Sequence, residues 1–267
     1  MTISSRVRIP RASGLLQRLV GSLTGKVQKK KKKRPERDKD HRAFVGPAAQ
    51  YDFMGATQFR LLTTLGLREE HYLLDVGCGS LRAGRLLIPY LLPGHYYGIE
   101  PNAWLIEDAL SNQIGRDLLA IKQPAFDHNA DFRVDGFGTD FDFIVAQSIF
   151  SHTTSELVLQ ALRNFAGSLS RNGLIACTFV ESVESNEIDP APRWVYPECV
   201  SFTRAEIDAI FAKTGLASRR IPWFHPRQVW YLAAHDAREL PEEGALPLLS
   251  GAVLRDPELR NSIPGET

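Results

Sequence analysis

The stretch His71-Tyr-Leu-Leu-Asp-Val-Gly-Cys-Gly-Ser-Leu-Arg-Ala-Gly84 limits what this chain can fold into more than any other part of it. An apolar run, Tyr72 to Val76, breaks into four small residues, Gly77 to Ser80. Apolar positions at helical spacing follow at Leu81, Leu86, Leu87 and Leu91. This order predicts a strand, a tight loop and the start of a helix. Glycines suit such a loop because they let a ligand approach the backbone, and unpaired N–H groups at a helix start suit an anionic group. A nucleotide-like ligand is therefore expected at this corner.

Spacing separates the candidate cofactors. A dinucleotide fingerprint needs G-x-G-x-x-G, but after Gly77 and Gly79 its third position is Arg82, which disfavours the alternative of a nicotinamide-dependent oxidoreductase. Asp75, two residues before the first glycine, suits a ligand that presents an ammonium group. His95 to Glu100 reads as a second strand, and its terminal acid is placed to accept hydrogen bonds from two ribose hydroxyls.

Asp75-x-Gly77-x-Gly79 resembles the first motif of class I S-adenosylmethionine-dependent methyltransferases. The resemblance implies that Gly77, Cys78 and Gly79 pass beneath the methionine part of S-adenosyl-L-methionine, that Asp75 holds its amino group and that Glu100 holds its ribose. It also implies an α/β three-layer sandwich, with a Rossmann-like mixed seven-stranded sheet and an antiparallel last strand, over about residues 46–234. The family's frequent third glycine is Leu81 here. A bacterial-type subgroup of largely unassigned substrate has a similar Y-D-x-x-G-x-x-Q-F-x-x-L helix ahead of a similar glycine motif. In this chain that helix is expected from about Ala56 to Gly66, and Tyr51 and Gln58 become candidate substrate-binding residues.

Further along, helices are expected over 85–92 and 104–119, and a third strand around Asp131–Val134. Family members often use a polar side chain at the end of this strand for the adenine amino group, which nominates Asp131, with Asn129 beside it. Phe141 to Ala146 is nearly all apolar, as a strand buried on both faces should be. The next residues, Gln147-Ser-Ile-Phe-Ser-His152, should line the ligand crevice at the carboxyl end of the sheet, with Gln147 on the cofactor side. They lack the Asp/Asn-Pro-Pro-Tyr of amino-directed DNA and glutamine methyltransferases. They resemble instead enzymes acting on small metabolites, lipids or sugars, so the expected reaction is O-methylation of a small-molecule, lipid or glycan acceptor.

An imidazole's usual pKa lies close to working pH, which makes His152 the candidate general base. Its competing reading is a helix-entry residue, because Thr153-x-x-Glu156 is a capping-box pattern opening a helix to about Leu169. Asn172-Gly173 is read as a turn into a strand over 174–180. Glu181 to Val200 is too long for a simple connection and is read as a substrate lid carrying Tyr196. Thr203-x-x-Glu206 caps another helix, and strands over 216–223 and 228–234 close the sheet. No metal is called for, because clustered acids after the fourth strand are missing. A catalytically silent cofactor-binding adaptor remains the other alternative.

Charge is divided unevenly. Residues 1–42 hold 14 lysines and arginines against 3 acids, a net +11, so the rest carries about −10. Leu15, Leu19 and Leu23 form one stripe of a short helix ahead of the basic run Lys29 to Arg34. The readings are a solvated tail, attachment to an anionic membrane surface, an organelle transit peptide, or an acidic partner, with nucleic acid least favoured. Three scattered cysteines and short apolar runs point to a reducing, cytoplasmic setting, peripheral to a membrane if the tail attaches. The expected organisation is a tail over 1–42, a methyltransferase domain over 43–235 and a peripheral extension over 236–267.

Overall fold

The computed structural model describes residues 41–249, so the basic tail and its leucine stripe lie outside the described residues. Seven strands form one sheet: β1 (Leu73–Val76), β2 (Tyr96–Ile99), β3 (Ala125–Asp127), β4 (Phe141–Ala146), β5 (Leu169–Phe179), β6 (Ala217–Ile221) and β7 (Val229–Ala234). Their order across the sheet is β3-β2-β1-β4-β5-β7-β6. The first five run parallel, and β7 is antiparallel to both β5 and β6. Strand order reverses between β1 and β4, and in an open α/β sheet the crevice at the carboxyl ends of such a pair takes the ligand.

Alternation along the strands divides the core in two. Leu74, Ile144, Ile175 and Tyr231 face α5 (Ser155–Gly167) and α6 (Arg204–Ala212). Leu73, Phe143, Leu174 and Leu232 face α1 (Tyr51–Thr64), α2 (Gly84–Tyr90) and α3 (Ala103–Ala109). Leu240 and Leu249, beyond the last strand, are buried in the second cluster. Burial on both faces explains the unbroken apolar reading of β4.

Several sequence expectations need correction. α1 begins at Tyr51, a turn and a half before Ala56, because Tyr51 and Met54 are buried anchors at its start. The helix expected over 104–119 is three pieces: α3, a π-helical turn (Leu110–Ile114) and α4 (Arg116–Lys122), broken where Gly115 takes φ +83°. The third strand is Ala125–Asp127, not Asp131–Val134. The latter stretch crosses under α5, where Phe132 and Val134 are buried in the core. β5 starts at Leu169 and passes Asn172-Gly173 as an irregularity in its pairing with β4, with no turn there.

The capping box expected at Thr153 and Glu156 does not form. Thr154 is the N-cap of α5 and makes no side-chain cap bond. The role passes to Glu187, whose carboxylate accepts from the Ser155 N–H at 2.6 Å and the Ser155 hydroxyl at 2.6 Å. A carboxylate at a helix N-terminus satisfies orphan N–H groups and opposes the helix dipole. The bond also ties the 181–200 segment to α5, supported by Thr154 Oγ1 donating to the Ala191 carbonyl and the Arg193 N–H donating to Thr154 Oγ1. By contrast, Thr203 and Glu206 form a complete capping box on α6.

Glu187→Ala should lower stability by about 1 kcal/mol, the usual cost of a lost cap, and should raise protease cleavage within 181–200. A chemical-denaturation curve and a limited digest check this, and an unchanged digest would show that the segment is held by its other contacts.

Candidate active site

The corner after β1 is built on left-handed backbone. Gly77 has φ +67° and Gly79 φ +55°, and both donate to the second strand's end: Gly77 N–H to the Ile99 carbonyl at 2.7 Å, Gly79 N–H to Glu100 Oε2 at 3.1 Å. A Cβ on Gly77 would lie 2.0 Å from Ile149 Cδ1, and one on Gly79 would lie 2.4 Å from Val45 Cγ1. Both glycines are therefore required by backbone angle and by space. Leu81 stands where the family has its further glycine, and it holds φ +55° as a fully buried leucine. That angle costs a non-glycine residue roughly 1 kcal/mol. Core packing against Gly84 sustains it, since Gly84 leaves room for the Leu81 side chain. The cradle keeps its glycine-like shape without the glycine.

Asp75 is a buried acid of the corner. It lies level with Gly98 of β2 and Val145 of β4. Tyr96 donates its phenol to Asp75 Oδ2 at 2.9 Å, Gln58 hydrogen-bonds the same carboxyl, and the Arg82 charge lies nearby. Burial nevertheless dominates and pushes the Asp75 carboxyl up to about 6, against the lowering by Tyr96, Arg82 and Gln58. A cationic group arriving beside it would reverse that penalty. Burial also pushes the Cys78 thiol up, with the Asp75 and Glu100 charges adding to it, so Cys78 is a packed wall of the loop and not a nucleophile.

α1 supports this corner from outside. The helix backbone approaches so closely that a Cβ on Gly55 would lie 2.4 Å from the Arg82 carbonyl oxygen. Tyr51 is buried, and its hydroxyl donates to the Ser80 carbonyl at 2.8 Å, while Gln58 is buried against Asp75. These two candidate substrate-binding residues have their polar atoms engaged by the loop and its acid. Arg82 adds a bond from Nη1 to the Val45 carbonyl at 2.6 Å.

Glu100 ends β2 as expected. Its Oε1 accepts from the Asn102 N–H and side-chain amide, both at 2.9 Å, and Oε2 accepts from Gly79. The carboxylate is thus oriented by both the strand end and the glycine loop. Asp131 is not in this group. It lies in an ion pair with Arg133 at 2.9 Å, half exposed, because the true third strand ends at Asp127. Asp127 Oδ1 caps the turn after β3, accepting from the Asn129 N–H and side-chain amide, both at 2.7 Å, and His128 Nδ1 hydrogen-bonds the Glu100 carbonyl at 2.7 Å.

At the end of β4, Gln147 is buried and neither amide atom has a hydrogen-bond partner. An orphaned buried amide at a ligand crevice signals a site built for a polar partner. Ser148 follows with φ +62°, its N–H donating to Thr178 Oγ1 at 2.7 Å. His152 sits in a short 3-10 turn (Phe150–His152) and is half-buried. Its Nδ1 bonds the Glu198 carbonyl at 2.7 Å, and its ring packs edge-on to Tyr196 at 5.2 Å. A carbonyl only accepts, so Nδ1 carries a proton, and in the neutral ring Nε2 keeps its lone pair. Tyr196 is largely exposed on the 181–200 segment, beside a 530 Å³ groove also lined by Trp194 and Cys199.

Tyr96, Arg82, Thr178 and Gln228 were not singled out for this site from sequence. They reach it from strands and loops far apart in the chain, and only Arg82, within the motif itself, had a local signal.

Because Asp75 ionises at about 6 when folded and at an ordinary 3.8 when unfolded, its burial costs stability above pH 6, and the cost vanishes below pH 4. Asp75→Asn should therefore stabilise the ligand-free protein at pH 7.5 by on the order of 1–3 kcal/mol, with the gain shrinking as pH falls through 6 toward 4. Thermal melts across that range check it. A lower Tm for the variant at pH 7.5 would contradict the assignment.

Residues 74–175 match a methyltransferase-domain family. No curated protein sequence matches the chain significantly. Among solved structures with a similar fold, magnesium protoporphyrin IX methyltransferase from Synechocystis PCC 6803, with bound S-adenosylmethionine, is 17% identical. The match covers 73% of this chain and 89% of that one, with a TM-score of 0.52. An S-adenosylmethionine-dependent methyltransferase from Clostridium acetobutylicum is 10% identical over 72% and 94%, TM-score 0.52. One from Aquifex aeolicus is 16% identical over 72% and 95%, TM-score 0.50. The matched residues, the 3-2-1-4-5-7-6 sheet and the acid-framed glycine corner identify residues 74–175 as a methyltransferase domain, set in the fold of S-adenosylmethionine-dependent methyltransferases.

Proposed function

We propose that the enzyme methylates a hydroxyl oxygen of a small-molecule, lipid or sugar acceptor. The observation that carries this reading is the rim after β4, where neutral polar groups and one histidine, Gln147-Ser-Ile-Phe-Ser-His152, stand in place of an amino-directed Asp/Asn-Pro-Pro-Tyr. The fold neighbour named for magnesium protoporphyrin IX is consistent with a small-molecule acceptor.

The chain's residues suit the cofactor. The cradle at Gly77 and Gly79 needs positive φ, the Asp75 carboxylate lacks a cation within ion-pair distance among the described residues, and the Gln147 amide lacks partners. In this reading Asp75 holds the ammonium group, Glu100 the ribose hydroxyls, and the Gly77–Gly79 backbone and Cys78 the floor, with Gln147 at the wall. Bound S-adenosylmethionine supplies an electrophilic methyl on a sulfonium. The protein's share is to align the acceptor oxygen, exclude water and accept a proton. In this reading His152 takes the proton, supported by the Nδ1 bond to the Glu198 carbonyl, which makes Nε2 the basic nitrogen of the neutral ring.

With methyl-labelled cofactor and matched panels of hydroxyl and amine acceptors, label should enter the hydroxyl panel. Asp75→Ala and Glu100→Ala should each weaken cofactor binding by about 1–3 kcal/mol in calorimetry. His152→Ala should bind cofactor normally and turn over about 100-fold more slowly. Label confined to amines would overturn the acceptor assignment, and an unchanged rate for His152→Ala would leave alignment alone as the mechanism.

A further inference from the structure

A second polar cluster sits at the same carboxyl rim, unused by the reaction as described so far. His225, in the connection between β6 and β7, is buried, and its Nε2 lies 3.1 Å from Ser148 Oγ. Its Nδ1 accepts the Arg227 N–H at 3.2 Å. A nitrogen that accepts an N–H cannot carry the ring proton of a neutral imidazole, so that proton is on Nε2 and is donated to Ser148. Burial, with the Arg82 and Arg227 charges behind it, holds His225 neutral, pushing it down to about 3.

The rest of the cluster fixes Ser148 in place. Its N–H is bound by Thr178 Oγ1, and Thr178 donates to Gln228 Oε1 at 2.6 Å. Gln228 Nε2 donates to Ser151 Oγ at 3.2 Å, and Ser151 donates back to the Ser148 carbonyl at 3.4 Å. The ring of bonds holds a serine at φ +62°, a strained angle of the kind that gathers at functional sites. One Ser148 lone pair is taken by His225, while the serine's own O–H has no acceptor among the described residues. Ile149, the residue after Ser148, packs against the face of Gly77, so the cluster adjoins the corner that forms the cofactor cradle.

We propose that Ser148, polarised by His225 Nε2–H, is the acceptor-positioning hydroxyl: it donates its O–H to the oxygen that receives the methyl group. The inference rests on the O-methylation reading and adds a residue and a direction to it. A hydroxyl oxygen has two lone pairs, so it can accept from Ser148 with one and present the other to the methyl. Donation along the chain His225 to Ser148 to acceptor strengthens each bond, and it lowers the acceptor's pKa before its proton leaves to a base. A primary amine has only one lone pair, so when aligned toward the methyl it cannot also accept from Ser148 and binds without that bond, and the arrangement selects oxygen over nitrogen.

The test needs no turnover. Full-length protein labelled with ¹⁵N-histidine and saturated with S-adenosylhomocysteine is titrated with phenol, methyl glucoside and glycerol, and with aniline as the nitrogen probe. The His225 signals are assigned from His225→Gln. Nε2 should appear protonated from pH 5 to 8, at least one hydroxyl probe should shift it, and aniline should bind tenfold or more weakly. Ser148→Gly removes the hydroxyl while suiting φ +62°, so it should melt no lower than wild type and bind the hydroxyl probe tenfold or more weakly. Ser148→Ala, which keeps the Cβ, should show the same loss. No hydroxyl probe moving His225, equal binding to the serine variants, or aniline binding as well as the best hydroxyl probe would each overturn the proposal. Serine-dependent hydroxyl binding with label entering only amines would instead overturn O-methylation and leave the Ser148–His225 subsite standing.

Discussion

The site depends on one costly placement: a carboxylate buried at the end of a central strand with no cation in ion-pair distance among the described residues. Asp75 lies where β1 meets both β2 and β4, and the Tyr96 phenol and the Gln58 amide soften its burial without cancelling it. Isolated buried charge is expensive, and proteins keep it where a ligand supplies the missing partner. The elements around it serve the same placement. β2 brings Tyr96 and Glu100, α1 brings Gln58 and braces the loop through Tyr51, and the reversal of strand order opens the crevice.

The glycine corner shows how shape persists when residue type changes. Gly77 and Gly79 are fixed by positive φ and by Ile149 and Val45 against their faces. Leu81 keeps the third left-handed position, paying in backbone strain for a leucine that the core between α1, α2 and the sheet encloses. Across the crevice, Ser148 makes a similar exchange, and there the compensation is a ring of buried hydrogen bonds instead of packing.

What was legible in the sequence was local. β1, the corner and Glu100 announce themselves within about 30 residues, as an apolar run, small residues and an acid at a strand's end. β4 was clear because burial on both faces leaves an unbroken apolar run. β3 was misplaced because it is three half-buried residues at the sheet edge, with neither alternation nor a strong apolar run, while Phe132 and Val134 are apolar for helix packing. The Thr153–Glu156 capping pattern failed because Glu187, 32 residues away, competes for the same helix end. Tyr51 and Gln58 were found as residues that matter, but their partners, Ser80 and Asp75, could not be read from a helix pattern. The cluster of Ser148, Thr178, His225 and Gln228 is assembled from three strand ends, and no spacing in the chain encodes it.

If Asp75 is the cofactor's ammonium partner, binding must strip its proton wherever it is still held. Calorimetric titration of S-adenosylhomocysteine in buffers of different ionisation enthalpy measures that proton directly. The account predicts release of about half a proton per ligand at pH 6, rising toward one near pH 5, and none from Asp75→Asn. Buffer-independent heats from the wild type at pH 5 to 6, with tight binding retained by Asp75→Asn, would contradict it.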